Sequence, residues 1–245
     1  MNRYTEINPP KDISHIVRCF WQYDGHSEDN RHTIFPNGCF ELFMAFAHGE
    51  AVSVLLSGVR TRPFEVDIPP GISVTGVRFL LPAAEYTNNE IASIVDATRE
   101  LDTVLDHAKE LSCLSFEEKA THITQTLRRI IAGKGIEQDK LTLLKMAYIP
   151  DISIQEISET IHWSGKKINR YFSARFGVSL KTFLNIVRLR SSFESIKEGV
   201  LYPQQNYYDQ SHYIKEVKKY TGASPKVLLK NENDLFLQFS PKEEP

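Results

Sequence analysis

Residues 15–81 carry an apolar period of two. In Phe40-Glu41-Leu42-Phe43-Met44-Ala45-Phe46 the hydrophobic positions alternate around one buried face. Val52-Ser53-Val54-Leu55-Leu56, Phe64-Glu65-Val66-Asp67-Ile68 and Ile72-Ser73-Val74-Thr75-Gly76-Val77-Arg78-Phe79 follow, separated by the turn signals Pro36-Asn37-Gly38, His48-Gly49 and Pro69-Pro70-Gly71. Short strands at this spacing predict a small barrel or sandwich. After Pro82 the period becomes helical: first Ile91, Ile94 and Val95, then Leu101, Val104, Leu105 and Ala108. Ser115 followed by Glu117 and Glu118 reads as an N-cap with acids in the first turn. The helix it opens puts Ala120, Ile123, Leu127, Ile130 and Ile131 on one side, and Gly133-Lys134-Gly135 stops it. That helix either packs on its own barrel or pairs with its copy in a dimer.

Residues 140–230 predict only helices and turns. Leu141, Leu144, Lys145 and Tyr148 make a first helix, which Pro150-Asp151 breaks. Ser153 and Glu156 form a capping box for a short helix with Ile154, Ile157 and Ile161 as its buried stripe. His162-Trp163 ends it. Ser164 caps a third helix, which Gly177 terminates after Phe176. Helix, tight turn, helix at this length is a helix-turn-helix. A longer helix spans residues 180–197.

Charge sharpens the division. The net charge of −2 is the balance of unequal parts. Residues 139–230 hold 15 Lys and Arg against 8 Asp and Glu, whereas residues 1–138 hold 13 against 19. The tail from residue 231 holds one Lys against four acids. A basic module joined to an acidic one suits a DNA-binding unit with a separate control unit. The third helix carries the candidate chemistry. Ile168, Tyr171 and Phe172 face inward, while Lys166, Asn169, Arg170 and Ser173 share another stripe. In a major groove, Arg can bind guanine bidentately and Asn can bind adenine. Ser164 and Lys167, near the positive helix end, suit phosphate oxygens. A plain solvated helix face would also be polar.

Other features exclude classes of function. No run of about eighteen apolar residues predicts a membrane span, and the start Met1-Asn2-Arg3-Tyr4-Thr5-Glu6 has no secretory pattern. Cys19, Cys39 and Cys113 form no disulfide or zinc spacing and are expected to be buried, so a cytoplasmic location is expected. His15, His26, His32 and His48 lack a metal-ligand pattern, and no phosphate loop or nucleophile elbow occurs. No cofactor, metal or catalytic residue is therefore expected.

Ile157-Ser158, Ser164, Ile168, Arg170, Phe172, Gly177, Phe183 and Arg188 resemble the AraC/XylS family of transcriptional regulators. Tyr208-Asp209-Gln210-Ser211-His212-Tyr213, Lys218, Gly222, Ser224 and Pro225 resemble that family's second recognition helix and its exit. The resemblance covers residues 140–230. It implies two helix-turn-helix units joined by the long helix, with Lys166, Asn169 and Arg170 as the base-contact candidates in the first unit and a structural or phosphate-binding role as the alternative for Arg170. Gln210, Ser211 and Lys215 are the candidates in the second, and His212 orients the helix start. This sequence departs from the family pattern between Arg188 and Tyr207, where it is several residues shorter. Pro203 falls where the second unit's scaffold helix belongs, Val217 stands for the usual Phe, and Ser158 for the usual Ala. The second unit is therefore expected to be short, loosely packed or poor at specific reading. Phe35-Pro36-Asn37-Gly38-Cys39-Phe40-Glu41-Leu42 and residues 76–84 resemble a β-rich domain of unknown function that precedes this helix-turn-helix in some members.

The expected fold is thus α+β: an N-terminal β-rich, cupin-like barrel with trailing helices (residues 1–132), a linker (133–139), an all-α double helix-turn-helix domain (140–230) and an acidic tail (231–245). The resemblance implies a sequence-specific regulator of transcription, not an enzyme, whose partner is double-stranded DNA and which does not engage membrane. Through its β-rich domain it implies a small-molecule effector, whose site the sequence does not locate, or a homodimer, and RNA polymerase as a further partner if the protein activates. The rival readings are an enzyme, or an interaction module, carrying a degenerate DNA-binding domain.

Overall fold

The computed structural model describes residues 3–25, 31–86, 91–204 and 207–231. Strands come first and helices after, in an α+β arrangement. The strands are β1 (Arg3–Ile7), β2 (Val17–Asp24), β3 (Arg31–Ile34), β4 (Phe40–Ala47), β5 (Glu50–Ser57), β6 (Phe64–Asp67), β7 (Ile72–Phe79) and β8 (Thr98–Glu100). Six form an antiparallel sheet in the order β1-β2-β7-β4-β5-β8, and β3 and β6 pair separately. The four stretches with the alternating pattern are β4 to β7. His48-Gly49 is the two-residue turn that closes the Ala47–Glu50 pair between β4 and β5.

The alternation gives the large sheet two apolar faces. On one, Trp21, Tyr23, Phe43 and Val74 meet Ile34, Val66 and Ile68 of the small sheet and its flanks. On the other, Phe20, Phe40, Val77 and Phe79 meet helices. Gly76 lies opposite Trp21, and any Cβ there would run into the indole ring.

Behind that second face a 3₁₀ turn spans Leu81–Tyr86, and the helical period of residues 91–95 resolves into a second, Ile91–Ile94, rather than an α-helix. Ile91 and Ile94 are both buried, and a three-residue repeat aligns them on one side. Helices α1 (Asp102–Lys109) and α2 (Phe116–Ile131) follow. Ser115 and Glu118 form a full capping box at the start of α2. This helix packs on its own sheet through Phe116, Ala120, Ile123, Leu127 and Ile131, whereas Ile130, expected on the same stripe, is exposed. Arg128 pairs with Asp12 at 2.6 Å. Cys19 and Cys39 are buried, and burial pushes their thiols up to about 11 and about 12. Cys113 is exposed, against expectation, because it sits in the turn before α2 rather than under a sheet.

The rest is helical: α3 (Gln138–Met146), α4 (Ile154–Ile161), α5 (Gly165–Phe176), α6 (Leu180–Lys197), α7 (Gln210–Thr221) and α8 (Pro225–Lys230). Tyr148, assigned to the first helix by its spacing, lies just past the end of α3. Its hydroxyl donates to the Gly38 carbonyl at 2.7 Å and accepts from the Leu81 amide at 3.0 Å. This tyrosine therefore stitches the helical half to the β-rich half. One hydrophobic cluster runs through both, from Phe20, Phe79 and Ile91 to Leu144, Phe172 and Phe183. Among the described residues no helix is long and apolar enough to cross a membrane, and no group of His, Cys, Asp and Glu could hold a metal ion. His26 and the acidic tail beyond Asn231 lie outside the described residues.

Candidate nucleic-acid interface

Helices α4 and α5 form the predicted helix-turn-helix. The capping box at Ser153 and Glu156 starts α4, with Ser153 Oγ accepting from the Glu156 amide at 3.1 Å. His162 ends α4 in the left-handed region at φ 54°. Ser164 then caps α5, its hydroxyl accepting from the Lys167 amide at 3.3 Å. Ile157, Ile161, Ile168, Phe172 and Phe176 are all buried, so the two helices are held by one apolar seam. Trp163 fills the turn between them, and its indole N–H donates to Asp139 at 3.1 Å.

The opposite side of α5 points outward. Ser164, Lys166, Lys167, Arg170 and Ser173 are exposed, and Asn169 is half-buried at the edge of that face. The helix contains no acidic residue. The Lys167 ammonium lies 3.6 Å from the centre of the Trp163 ring, which positions a cation at the amino end of the helix. The structure thus brings together all six residues assigned to the first unit, on one cationic surface. Arg175, on the flank, is instead committed to the β-rich half and pairs with Glu85 at 2.8 Å. Burial, and then the Glu85 carboxylate, raise the neighbouring Tyr171 phenol well above its ordinary value.

The second unit differs. Between α6 and α7 the described residues contain no helix, as Pro203 predicts. Yet α7 is not loosely held. Tyr213, Val217 and Tyr220 are buried against Ile186, Leu189, Phe193 and Ile196 of α6, Leu228 of α8 and Phe35 of the β-rich half. The expectation of a loose helix fails because the neighbouring helices α6 and α8, together with Phe35 from the β-rich half, supply the packing surface. Tyr207 packs edge-on to Tyr213, with ring centroids 5.0 Å apart, and burial pushes its phenol up to about 12. Asp209 caps α7 by accepting from the His212 amide at 2.7 Å, and His212 in turn accepts from the Tyr208 amide at 3.4 Å. The histidine is thus engaged at the start of the helix. Gln210, Ser211 and Lys215 are all exposed. Tyr208 beside them is 93 % exposed, an aromatic group that the motif comparison left unassigned. Arg188 ties the two units together. It pairs with Asp151 at 2.9 Å and its guanidinium lies 5.8 Å from the centre of the Tyr207 ring.

The β-rich half encloses an apolar cavity of about 110 Å³ between its two sheets, lined by Trp21, Tyr23, Phe43, Phe64 and Val66 among others. Arg60 borders it, stacked 4.2 Å over the Phe64 ring and donating to the Ser57 hydroxyl at 3.1 Å. The strand pattern marks these residues as inward-facing, but only the packing of one sheet on the other makes them a cavity wall.

The family described as "Domain of unknown function (DUF6597)" matches residues 5–92, within the β-rich half. No curated protein matches the chain. Solved structures of ToxT from Vibrio cholerae are similar in overall layout. One, from strain O395, is 12 % identical over 94 % of this chain and 96 % of its own, with a TM-score of 0.42. Another, at 1.65 Å resolution, is 10 % identical over 94 % of this chain and 97 % of its own, with a TM-score of 0.44.

Proposed function

We propose that this chain is a sequence-specific, DNA-binding regulator of transcription of the AraC type, acting in the cytoplasm and not as an enzyme. In this reading residues 140–230 are the DNA-binding domain and residues 133–139 the linker that follows the β-rich control domain. One observation carries it: α5, the second helix of a fully packed helix-turn-helix, turns a cationic face outward. Lys166, Asn169 and Arg170 take the base edges, and Ser164, Lys167 and Ser173 the backbone. Gln210, Ser211 and Lys215 on α7 supply a second contact. The apolar cavity between the sheets supports control by a small apolar effector. Dimerisation through the same half is the other means of control, with RNA polymerase as a further partner if the outcome is activation.

The test uses the full chain, because the two halves share a core. A duplex ligand is selected from a randomised pool, and affinity is then measured over a range of salt concentrations. Affinity should fall steeply with salt, and Lys167→Ala should weaken binding to every sequence and reduce the log–log slope by about one unit. Absence of salt-dependent duplex binding at low ionic strength would sink the proposal.

A further inference from the structure

A second cavity, of about 200 Å³, opens where the large sheet meets α6. Its charged lining consists of Arg18 and Arg78 from the β-rich half, Arg190 and Lys197 from α6, and the carboxylates of Glu6 and Glu194. These acids are already used. Glu6 pairs with Arg78 at 2.8 Å, and Glu194 with Lys197 at 3.4 Å. Arg78 is further satisfied by Glu41 at 3.1 Å and by the Tyr4 hydroxyl at 2.8 Å. Arg18 and Arg190 remain, Arg18 with the Tyr148 ring centre 5.8 Å from its guanidinium but no acid beside it. Both are half-buried, and neither has a carboxylate at ion-pair distance among the described residues. The Arg18 Nε is fully enclosed with no hydrogen-bond acceptor. A guanidinium withdrawn from water normally has a partner, since leaving it unpaired forfeits hydration without replacement. Two such groups face one cavity from two halves of the molecule.

We infer that this cavity is a binding site for a compact dianion, a small dicarboxylate or a phosphate monoester, held between Arg18 and Arg190. Each guanidinium offers a planar pair of N–H donors that matches one carboxylate or two phosphate oxygens. The two guanidiniums left without a carboxylate call for a ligand with two negative charges. The site adjoins the apolar cavity, with Asn37 and Arg78 lining both, but its anchoring arginines Arg18 and Arg190 do not line that cavity. Since Arg18 belongs to β2 and Arg190 to α6, the ligand would clasp the two halves and stabilise their docked arrangement.

Calorimetric titration of the full chain, without DNA and at constant ionic strength, tests this with succinate, glycerol 3-phosphate and inorganic phosphate as probes. At least one should bind saturably below ~10 mM and raise the melting temperature, while acetate and dimethyl succinate should not. Arg18→Gln and Arg190→Gln should each weaken that binding about 10-fold or more. Arg18→Lys should retain part of it, and the exposed Arg129→Gln should leave it unchanged. Circular dichroism establishes that each variant is folded, with Arg18→Lys as the milder substitute if Arg18→Gln is not. No saturable binding of any of the three dianions, or binding indifferent to both arginines, would overturn the inference. Because no DNA is present, neither outcome depends on the DNA-binding proposal.

Discussion

Asn169 and Arg170 are neighbours in sequence but differ in setting. Arg170 is exposed, and Asn169 is half-buried at the edge of the same face. A side chain restrained at its base loses less entropy when it meets a base edge. Replacing either by Ala should relax sequence preference at one or two base pairs and cost about 1–3 kcal/mol on the selected site. Affinities against single-base variants of that site measure this; a uniform loss across all variants would reassign both residues to the backbone. The outward face that carries them was legible from the spacing of α5 alone, because a helix face is defined by residues three and four apart. The roles of Arg175 and Arg188 were not. Each is a basic residue on a helix, and only the positions of Glu85 and Asp151 commit them to ion pairs.

At the scale of the element, the ends of helices were the most predictable features. The capping serines at 115, 153 and 164 each accept a backbone amide as their spacing implies. Gly177 ends α5 at φ 71°, and it also does something the local sequence could not disclose. A Cβ at this position would lie 2.5 Å from the Ala92 carbonyl oxygen and 2.5 Å from Val95 Cγ2. The glycine therefore both terminates α5 and lets the β-rich half approach it. Gly177→Ala should destabilise the protein by about 2–4 kcal/mol, combining left-handed strain with overpacking. Urea denaturation measures the loss; a cost below about 1 kcal/mol would mean that this contact yields easily. The opposite lesson comes from α7. Pro203 and the shortened approach correctly removed a helix, but the conclusion that α7 would be loose did not follow. Leu228 on the next helix and Phe35 from far along the chain close its core.

At the scale of the molecule, the segment between α2 and α3 joins two halves with no gap between them in space. A continuous apolar cluster, the Tyr148 hydroxyl bonds and the Arg175–Glu85 pair all cross between the halves. The two tryptophans report on opposite sides of this junction, Trp21 between the sheets and Trp163 in the helix-turn-helix. Trp163→Phe and Trp21→Phe therefore give two single-tryptophan proteins. In each, the fluorescence midpoint in urea should coincide with the midpoint from far-UV circular dichroism. Separated midpoints in either would show that the halves unfold independently and that the shared cluster contributes little.

The sequence by itself determined the inward and outward alternation along β4 to β7, the capped starts of α2, α4 and α5, and the cationic face of α5. All of these depend on residues at most a few positions apart, where the two-residue and 3.6-residue periods act. Tertiary structure alone decided that Phe35 would complete the core beneath α7, that Gly177 would receive Ala92, and that Arg18 and Arg190 would face one cavity. No period relates such residues, because they meet only after the large sheet has presented its helix-bearing face and α6 has packed across the junction. The apolar pattern states which side of each element is to be buried, and which partner buries it depends on shape complementarity between whole elements.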